Sequence, residues 1–174
     1  GYALIPKPNL PQKHLEIGRL LHAKTTDEDL NEEIFNIVGH LNAGRDLIEK
    51  ESEKLVLINL NLQAGLKAKD TTAFADAKQY IEIGLDLLDS DRWQEQYALT
   101  LALHNENGEL AALIGQYDQV STTADLIHAN AKSIFDQTRI FMAQIEAETS
   151  QYNFAKALEI GMEVIKDLGI EIPT

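Results

Sequence analysis

A recurring combination of a small and an aromatic residue constrains the fold of this chain most. Gly65 is followed nine positions later by Phe74 and, three positions after that, by Ala77. Two partial copies follow, and their members are Gly108, Tyr117 and Val120 in the second copy and Phe154 and Ala157 in the third. The aromatic residues are 43 and 37 positions apart, close to the period of repeats built from two helices. A small residue lets paired helices cross closely and an aromatic residue fills the space between them, so we expect helical hairpins.

Apolar residues at helical spacing extend this expectation to the rest of the chain. The strongest stripe consists of Leu30, Ile34, Ile37, Val38 and Leu41, which is typical of an amphipathic helix and continues or restarts through residues 47–48. Thr25, with Glu28 three positions later, predicts a capping box in front of it. Further helices are predicted over residues 14–22, 119–132, 133–149 and 153–168, and another carries the apolar face from Phe74 to Leu88; a turn is predicted at 115–118.

Two helix starts are predicted in the middle of the chain. Thr71 or Thr72 is expected to cap the helix that carries Phe74. Residues 89–91 are expected to cap another helix, which begins near Arg92. Trp93, Tyr97 and Leu101 are four positions apart and would then share one side of that helix.

Residues 55–68 fit two patterns. From Ile58 onward the segment alternates apolar and polar residues like a strand. We predict a helix, because the neighbouring segments are helical and a lone strand would leave its backbone hydrogen-bonding groups without partners. A helix that packs on two sides also loses a clean amphipathic pattern. The predicted fold class is therefore all-α.

Composition excludes several classes of function. The 174-residue chain has 15 basic and 28 acidic residues and a net charge of −13, which argues against nucleic acid and anionic membranes as partners. It has no cysteine, which excludes a disulfide scaffold, a thiol nucleophile and cysteine-based metal sites. No apolar run approaches the roughly 18 residues of a membrane-spanning helix. We expect a cytoplasmic protein whose partners are proteins with a basic surface.

The predicted organisation is one domain in three parts. Prolines in residues 1–12 predict an extended lead-in. Residues 13–50 are assigned to N-terminal helices and residues 51–174 to about three degenerate repeats. The chain opens with glycine rather than methionine, so we expect a fragment of a larger protein.

The repeated positions resemble those of tetratricopeptide repeats in degenerate form. The matching residues are Gly65, Phe74, Ala77 and Leu85 in the first copy, Gly108 and Tyr117 in the second, and Phe154 and Ala157 in the third. The chain departs from the pattern at Val120, where a small residue is usual, and at Ile145, where glycine is usual. The resemblance implies a right-handed α-α superhelix of helical hairpins with a concave surface.

A second resemblance covers nearly the whole chain. The segments that carry it are residues 14–21, 34–45, 93–101, 157–161 and 168–173. They are similar to the helical-repeat region of large bacterial multi-sensor signal transduction kinases. In that family the region usually follows serine/threonine-kinase-like and P-loop ATPase modules and precedes GAF or PAS sensor domains and a histidine kinase. The resemblance implies a regulatory or scaffolding segment that contains no catalytic residue.

No cluster of residues indicates catalysis or cofactor binding. Residues 39–46 imitate the spacing of a phosphate-binding loop, but Arg45 replaces its lysine and Asp46 replaces the hydroxyl that binds magnesium. The five histidines lack the H-E-x-x-H spacing of a zinc site and have no cysteine to complete one. We therefore expect no catalytic, cofactor-binding or metal-binding residue.

Two groups of residues are candidates for an interaction surface. Asp27, Glu28 and Glu32 belong to the densest acidic run and would dock a basic partner, although a solvated helix face is the favoured alternative. Trp93 and Tyr97 would form a ligand platform, although packing within the fold is again the favoured alternative.

Three functional hypotheses follow. The leading one is a non-catalytic scaffold or relay segment of a multidomain signal transduction kinase. The second is a free-standing adaptor that binds a peptide or protein in its groove. The third is a small helical enzyme, which would need a polar cluster at fixed spacing in its core, and the sequence offers none.

Overall fold

The structure, a computed structural model, describes residues 9–89 and 92–170, and every regular element in these ranges is helical. In chain order the α-helices are α1 (Leu10–Lys24), α2 (Asp27–Ala43), α3 (Glu51–Asp70), α4 (Phe74–Asp86), α5 (Arg92–Glu95), α6 (Tyr97–Leu113), α7 (Tyr117–Asn130), α8 (Thr138–Ser150) and α9 (Phe154–Asp167). Short 3₁₀ turns cover Arg45–Leu47 and Ile134–Gln137. The predicted all-α class is confirmed.

The ambiguous segment 55–68 lies inside α3, and its burial explains the missing amphipathic pattern. Leu57 and Leu60 are buried in one core cluster, whereas Ile58 and Ala68 are buried in the next one along the chain. Since α3 packs on two sides, apolar residues are needed around most of its circumference.

The helices pack as pairs in chain order. The pairs are α1 with α2, α3 with α4, α6 with α7, and α8 with α9. The second helix of each of the first three pairs also packs against the first helix of the following pair, and α6 contacts α8 directly. Each hairpin therefore contacts mainly its neighbours along the chain.

The core follows the same order. One cluster lies among α1, α2 and α3 and includes Ile37 and Leu57, and a second lies among α3, α4 and α6 and includes Ile81 and Leu103. A third cluster lies among α6, α7 and α8 and includes Ile140. Among the described residues the buried apolar side chains form these three separate clusters, and each cluster stabilises a junction between neighbouring hairpins.

The beginnings of the first two helices differ from the prediction. Helix α1 begins at Leu10 rather than near residue 14. Proline is tolerated in the first turn of a helix, because the backbone N–H that it lacks would have no partner within the helix there. Thr26, not Thr25, caps α2: its hydroxyl accepts from the Asp29 N–H at 3.3 Å and donates to the Asp29 carboxylate at 2.8 Å. The Thr25 hydroxyl donates to the Leu21 carbonyl at 2.8 Å and so belongs to the end of α1.

Two further predicted boundaries are wrong. The residue before α4 is Ala73, without a side-chain cap, and the Thr71 hydroxyl instead donates to the Ala68 carbonyl at 2.9 Å at the end of α3. Trp93 and Tyr97 do not share a helix, because Gln96 lies between the end of α5 and the start of α6 and is not helical. The predicted cap at residues 89–91 lies partly outside the described residues.

Smaller shifts occur at other helix ends. Helix α2 does not run on to residues 47–48 but gives way to the 3₁₀ turn Arg45–Leu47. Helix α7 begins at Tyr117, within the predicted turn. Helix α8 begins at Thr138, because the preceding residues form the 3₁₀ turn Ile134–Gln137.

Candidate protein-interaction surface

Three hairpins close in the same way. The residue two positions before each aromatic has a positive φ angle: Thr72 at 62°, Gly115 at 78° and Tyr152 at 62°. The following N–H donates to the carbonyl five residues back, in the pairs Ala73–Ala68, Gln116–Ala111 and Asn153–Glu148, at 2.9, 2.8 and 2.8 Å. This is the Schellman arrangement of a helix end. The aromatic residues Phe74, Tyr117 and Phe154 are then the first residues of α4, α7 and α9.

Small residues lie where α3 and α4 approach each other. A Cβ atom built on Gly65 would lie 2.7 Å from Cδ1 of Ile81 and 3.3 Å from the carbonyl oxygen of Ala77. Ala77 is itself fully buried. A larger side chain at either position would force the two helices apart.

In the next two hairpins different residues occupy the position that corresponds to the contact of Gly65 with Ile81. A Cβ on Gly108 would collide with Cδ1 of Ile140, so this glycine admits a side chain from the following hairpin. In the last hairpin the two sizes are exchanged, because Ile145 on α8 faces Gly161 on α9. Ile145 occupies the position that corresponds to Gly65, and Gly161 the one that corresponds to Ile81. Ala157 is buried at the start of α9.

Four charged residues form a network across the first helices of three successive hairpins. Lys69 on α3 donates to Glu106 at 2.8 Å and to Glu109 at 2.5 Å, both on α6. Arg139 on α8 donates from Nε to Glu109 at 2.6 Å and from Nη2 to Glu106. The Glu106 side chain is 5% exposed, so its charge depends on these partners for stabilisation.

The hydrogen bonds of this network shift the pKa values of Glu109, Lys69 and Arg139. Burial would raise the pKa of Glu109, but the hydrogen bonds from Arg139 and Lys69 outweigh it and hold that pKa below its ordinary value. Burial would likewise lower the pKa values of Lys69 and Arg139, and their carboxylate partners raise them instead. These three side chains therefore stay charged near neutral pH and tie α3, α6 and α8 together.

A groove of 470 Å³ lies beside the network, between α6 and α8. Its apolar lining includes Leu113 and Met142, which are 41% and 67% exposed, together with Ile145. Glu109 and Arg139 of the network form part of its edge. The groove therefore has an apolar floor with charged side chains at its rim.

The two predicted candidate groups have different surroundings. Asp27, Glu28 and Glu32 are all exposed on α2 and are available to a partner. Trp93 and Tyr97 are half-buried and are both engaged within the chain. The Tyr97 hydroxyl donates to Asp136 and accepts the N–H of Lys132, each at 2.8 Å.

Sequence reasoning missed the buried polar residues at the contacts between hairpins. Asn42 of α2 and Asn61 of α3 exchange two amide hydrogen bonds, at 2.8 and 2.9 Å. Lys78 of α4, only 4% exposed, donates to Asn107 of α6 at 2.6 Å. The available signal was the polar run at residues 104–107 inside the otherwise apolar helix α6.

Among the described residues no group of three or more potential metal ligands occurs. His14 and His40 form a pair whose Nδ1 atoms lie 2.9 Å apart. Residues 39–43 of the phosphate-loop imitation lie inside α2, so they do not form a loop around a phosphate. Within the described ranges no helix is long and apolar enough to cross a bilayer.

Comparison with curated proteins finds a similar segment in hybrid signal transduction histidine kinase G of Dictyostelium discoideum. The two sequences are 28% identical over 187 aligned residues. The match covers 94% of this chain but only 5% of the kinase, so the chain is similar to one short stretch of a far longer signalling protein. No protein-family model matches the chain. No solved structure matches it either.

Proposed function

We propose that this chain is a tetratricopeptide-like array of helical hairpins that acts as a non-catalytic scaffold or relay in a multidomain signal transduction kinase. The observation that carries the proposal is the shared closure at Thr72, Gly115 and Tyr152, each followed by an aromatic residue that begins the next helix. The chain-ordered core clusters are also what a one-dimensional array, in which each repeat contacts its neighbours, would produce.

The similarity to a histidine kinase segment supports the signalling context of the proposal. In that context the partners are the flanking domains of the same polypeptide or a signalling protein, in the cytoplasm, and no cofactor is required. Since the chain carries a net charge of −13, the contacting surface of a partner is expected to be basic. The exposed residues Asp27, Glu28 and Glu32 are the proposed docking points for it.

The charge network gives the array a means of relay. Glu106 and Glu109 on α6 are held by Lys69 from the preceding hairpin and by Arg139 from the following one. A displacement of either neighbouring hairpin must carry α6 with it or break a partly buried ion pair, which is costly. The three hairpins are therefore expected to move as one unit.

The groove between α6 and α8 favours a second candidate function, that of an adaptor for an extended peptide. Leu113 and Met142 expose apolar surface in the same groove, and covering that surface would remove it from water, which is favourable. A library of apolar peptides with basic flanks would test this function. Binding that is lost in Met142→Asp would support the adaptor.

The scaffold proposal is tested in the full-length protein that contains this chain. Gly108→Ala places a methyl group against Ile140 at the contact between hairpins, whereas Gly39→Ala adds one where nothing lies within 4 Å. We expect Gly108→Ala to weaken the response of the kinase to its signal and to leave basal autophosphorylation intact, and Gly39→Ala to change neither. An unaltered response in both variants would contradict a relay through these hairpins.

A further inference from the structure

The outward face of α9 carries apolar side chains at helical spacing. Leu158 and Met162 are 67% and 45% exposed, and Ile165 follows at the next turn and is half-buried. We call these three residues the α9 stripe. The last helix of a repeat array ordinarily presents a polar face to water, because an apolar one lowers solubility. The α9 stripe therefore resembles a surface that packs against another helix, and it differs from the polar outer face of a terminal repeat.

The corresponding positions of α4 and α7 lie four, eight and eleven residues after the aromatic residue that begins each helix. Lys78 and Glu82 of α4 and His128 of α7 adjoin the next hairpin, whereas Ser121 and Asp125 of α7 are exposed. Lys78, at the first of these positions in α4, bonds to Asn107 of α6 at 2.6 Å. Glu82, at the second, lines a cavity with Tyr117 and Gln119 of α7.

The third position, eleven residues after the aromatic residue, contacts the next hairpin in α7. The ring of His128 lies 4.7 Å from that of Phe141 on α8, and its Nδ1 is 2.6 Å from Oε1 of Gln137. These contacts come from the first helix of the next hairpin and from the turn that precedes it. Leu158, Met162 and Ile165 occupy these three positions in α9.

We propose that the first helix of a further helical hairpin of the same polypeptide packs on the α9 stripe. The inference rests on the hairpin array proposed above and continues its interfaces, α2 with α3, α4 with α6 and α7 with α8, by one step. Because the stripe is apolar where earlier hairpins use polar contacts, the incoming helix presents apolar residues three and four positions apart. A second copy of the chain on the same face is the competing occupant.

The test compares the 174-residue chain with the same chain extended by about 40 residues of its natural gene product, one repeat length. Hydrogen–deuterium exchange of the α9 amides is the readout in both proteins. Leu158→Asp combined with Met162→Asp disrupts the α9 stripe. Leu20→Asp is the matched control, because Leu20 is 60% exposed on α1, in a different hairpin.

We expect the extension to slow exchange of the α9 amides at least tenfold, the double variant to abolish that slowing, and Leu20→Asp to leave it unchanged. Equal exchange with and without the extension would overturn the inference. Protection of α9 in the 174-residue chain that increases with concentration would also overturn it, in favour of a second copy. If α9 gains no protection while Gly108→Ala still weakens signalling, the array proposal survives and only the proposed packing on the α9 stripe fails.

Discussion

Ile145 on α8 faces Gly161 on α9, with its Cδ1 atom 3.9 Å from the place where a Cβ of residue 161 would lie. Gly65 on α3 faces Ile81 on α4 in the reverse order, with the corresponding distance only 2.7 Å. The size of one side chain in the pair compensates for the other, which explains how the last hairpin, α8 with α9, closes without the first-helix glycine.

This pair predicts opposite effects for two glycine substitutions. Gly161→Ala meets only ordinary contact and gains helix propensity, so it should raise the free energy of unfolding by about 0.5–1 kcal/mol. Gly65→Ala crowds the buried Ile81 and should lower it by about 1–2 kcal/mol. Urea unfolding of both variants measures the difference, and equal effects of the same sign would contradict the geometry.

Buried alanines at the helix crossings should not accept larger side chains. Ala77→Leu and Ala157→Leu overpack their sites and should each lower the free energy of unfolding by roughly 1–3 kcal/mol. Ala75→Leu is the control, because Ala75 is exposed on the same helix as Ala77. Thermal unfolding that cannot distinguish Ala77→Leu from Ala75→Leu would remove the physical basis of the repeat alignment.

Trp93 is predicted to stabilise the junction of α5 with α6. Its ring is stacked on that of His104, with centroids 5.1 Å apart and planes 7° from parallel, and it packs on the core cluster of α6 to α8. Trp93→Ala should cost about 2–3 kcal/mol, less than a fully buried tryptophan because the ring is half-buried. A melting temperature equal to that of the unaltered chain would place the indole outside the packing and favour a ligand platform.

His104 should make stability depend on pH. Burial lowers the pKa of His104, so as pH falls through the ordinary imidazole value of about 6.5 the unfolded chain takes up the proton first. Stability should then fall between pH 7.5 and 5.5, by at most about 1.4 kcal/mol per pH unit for one group. Burial, together with the charge of His14, lowers the pKa of His40 and acts in the same direction.

His104→Phe separates this contribution from that of His40. The substitution keeps an aromatic ring against Trp93 and removes a buried Nδ1 that has no hydrogen-bond partner. The variant should therefore lose less stability between pH 7.5 and 5.5 than the unaltered chain in urea unfolding. An identical loss in the two proteins would show that His104 does not titrate in this range.

The helical class was predictable from sequence because its signals are local or repeated. The spacing from Leu30 to Leu41 identified α2, and the recurrence of Phe74, Tyr117 and Phe154 indicated helical hairpins, although Tyr117 was assigned to a turn and not to the start of α7. Helix α3 was predictable only from its surroundings, because two-sided burial erases its own period. Adjacent Thr25 and Thr26 are chemically equivalent as caps, so the choice between them depends on the end of α1.

The candidate surface was less predictable, because it depends on how hairpins meet. Lys69, Glu106 and Arg139 are separated by more than 30 positions from one another, and only the stacking of α3, α6 and α8 brings them together. The break at Gln96 has no proline or glycine to announce it, so Trp93 and Tyr97 read as one helix face. The exposure of acidic residues such as Glu32 was predictable, because a run of charged residues on a helix is solvated whatever the tertiary packing.

The central claim is that this chain works by binding other protein segments and not by nucleotide chemistry. Calorimetric titration of the chain with the domains that flank it in its parent protein, and separately with ATP and magnesium, tests that claim most directly. We predict heat of binding with a flanking domain, weakened by added salt and by the triple neutralisation Asp27→Asn, Glu28→Gln and Glu32→Gln, and none with ATP. Micromolar ATP binding that is lost in Arg45→Ala, with no binding of any flanking domain, would contradict it.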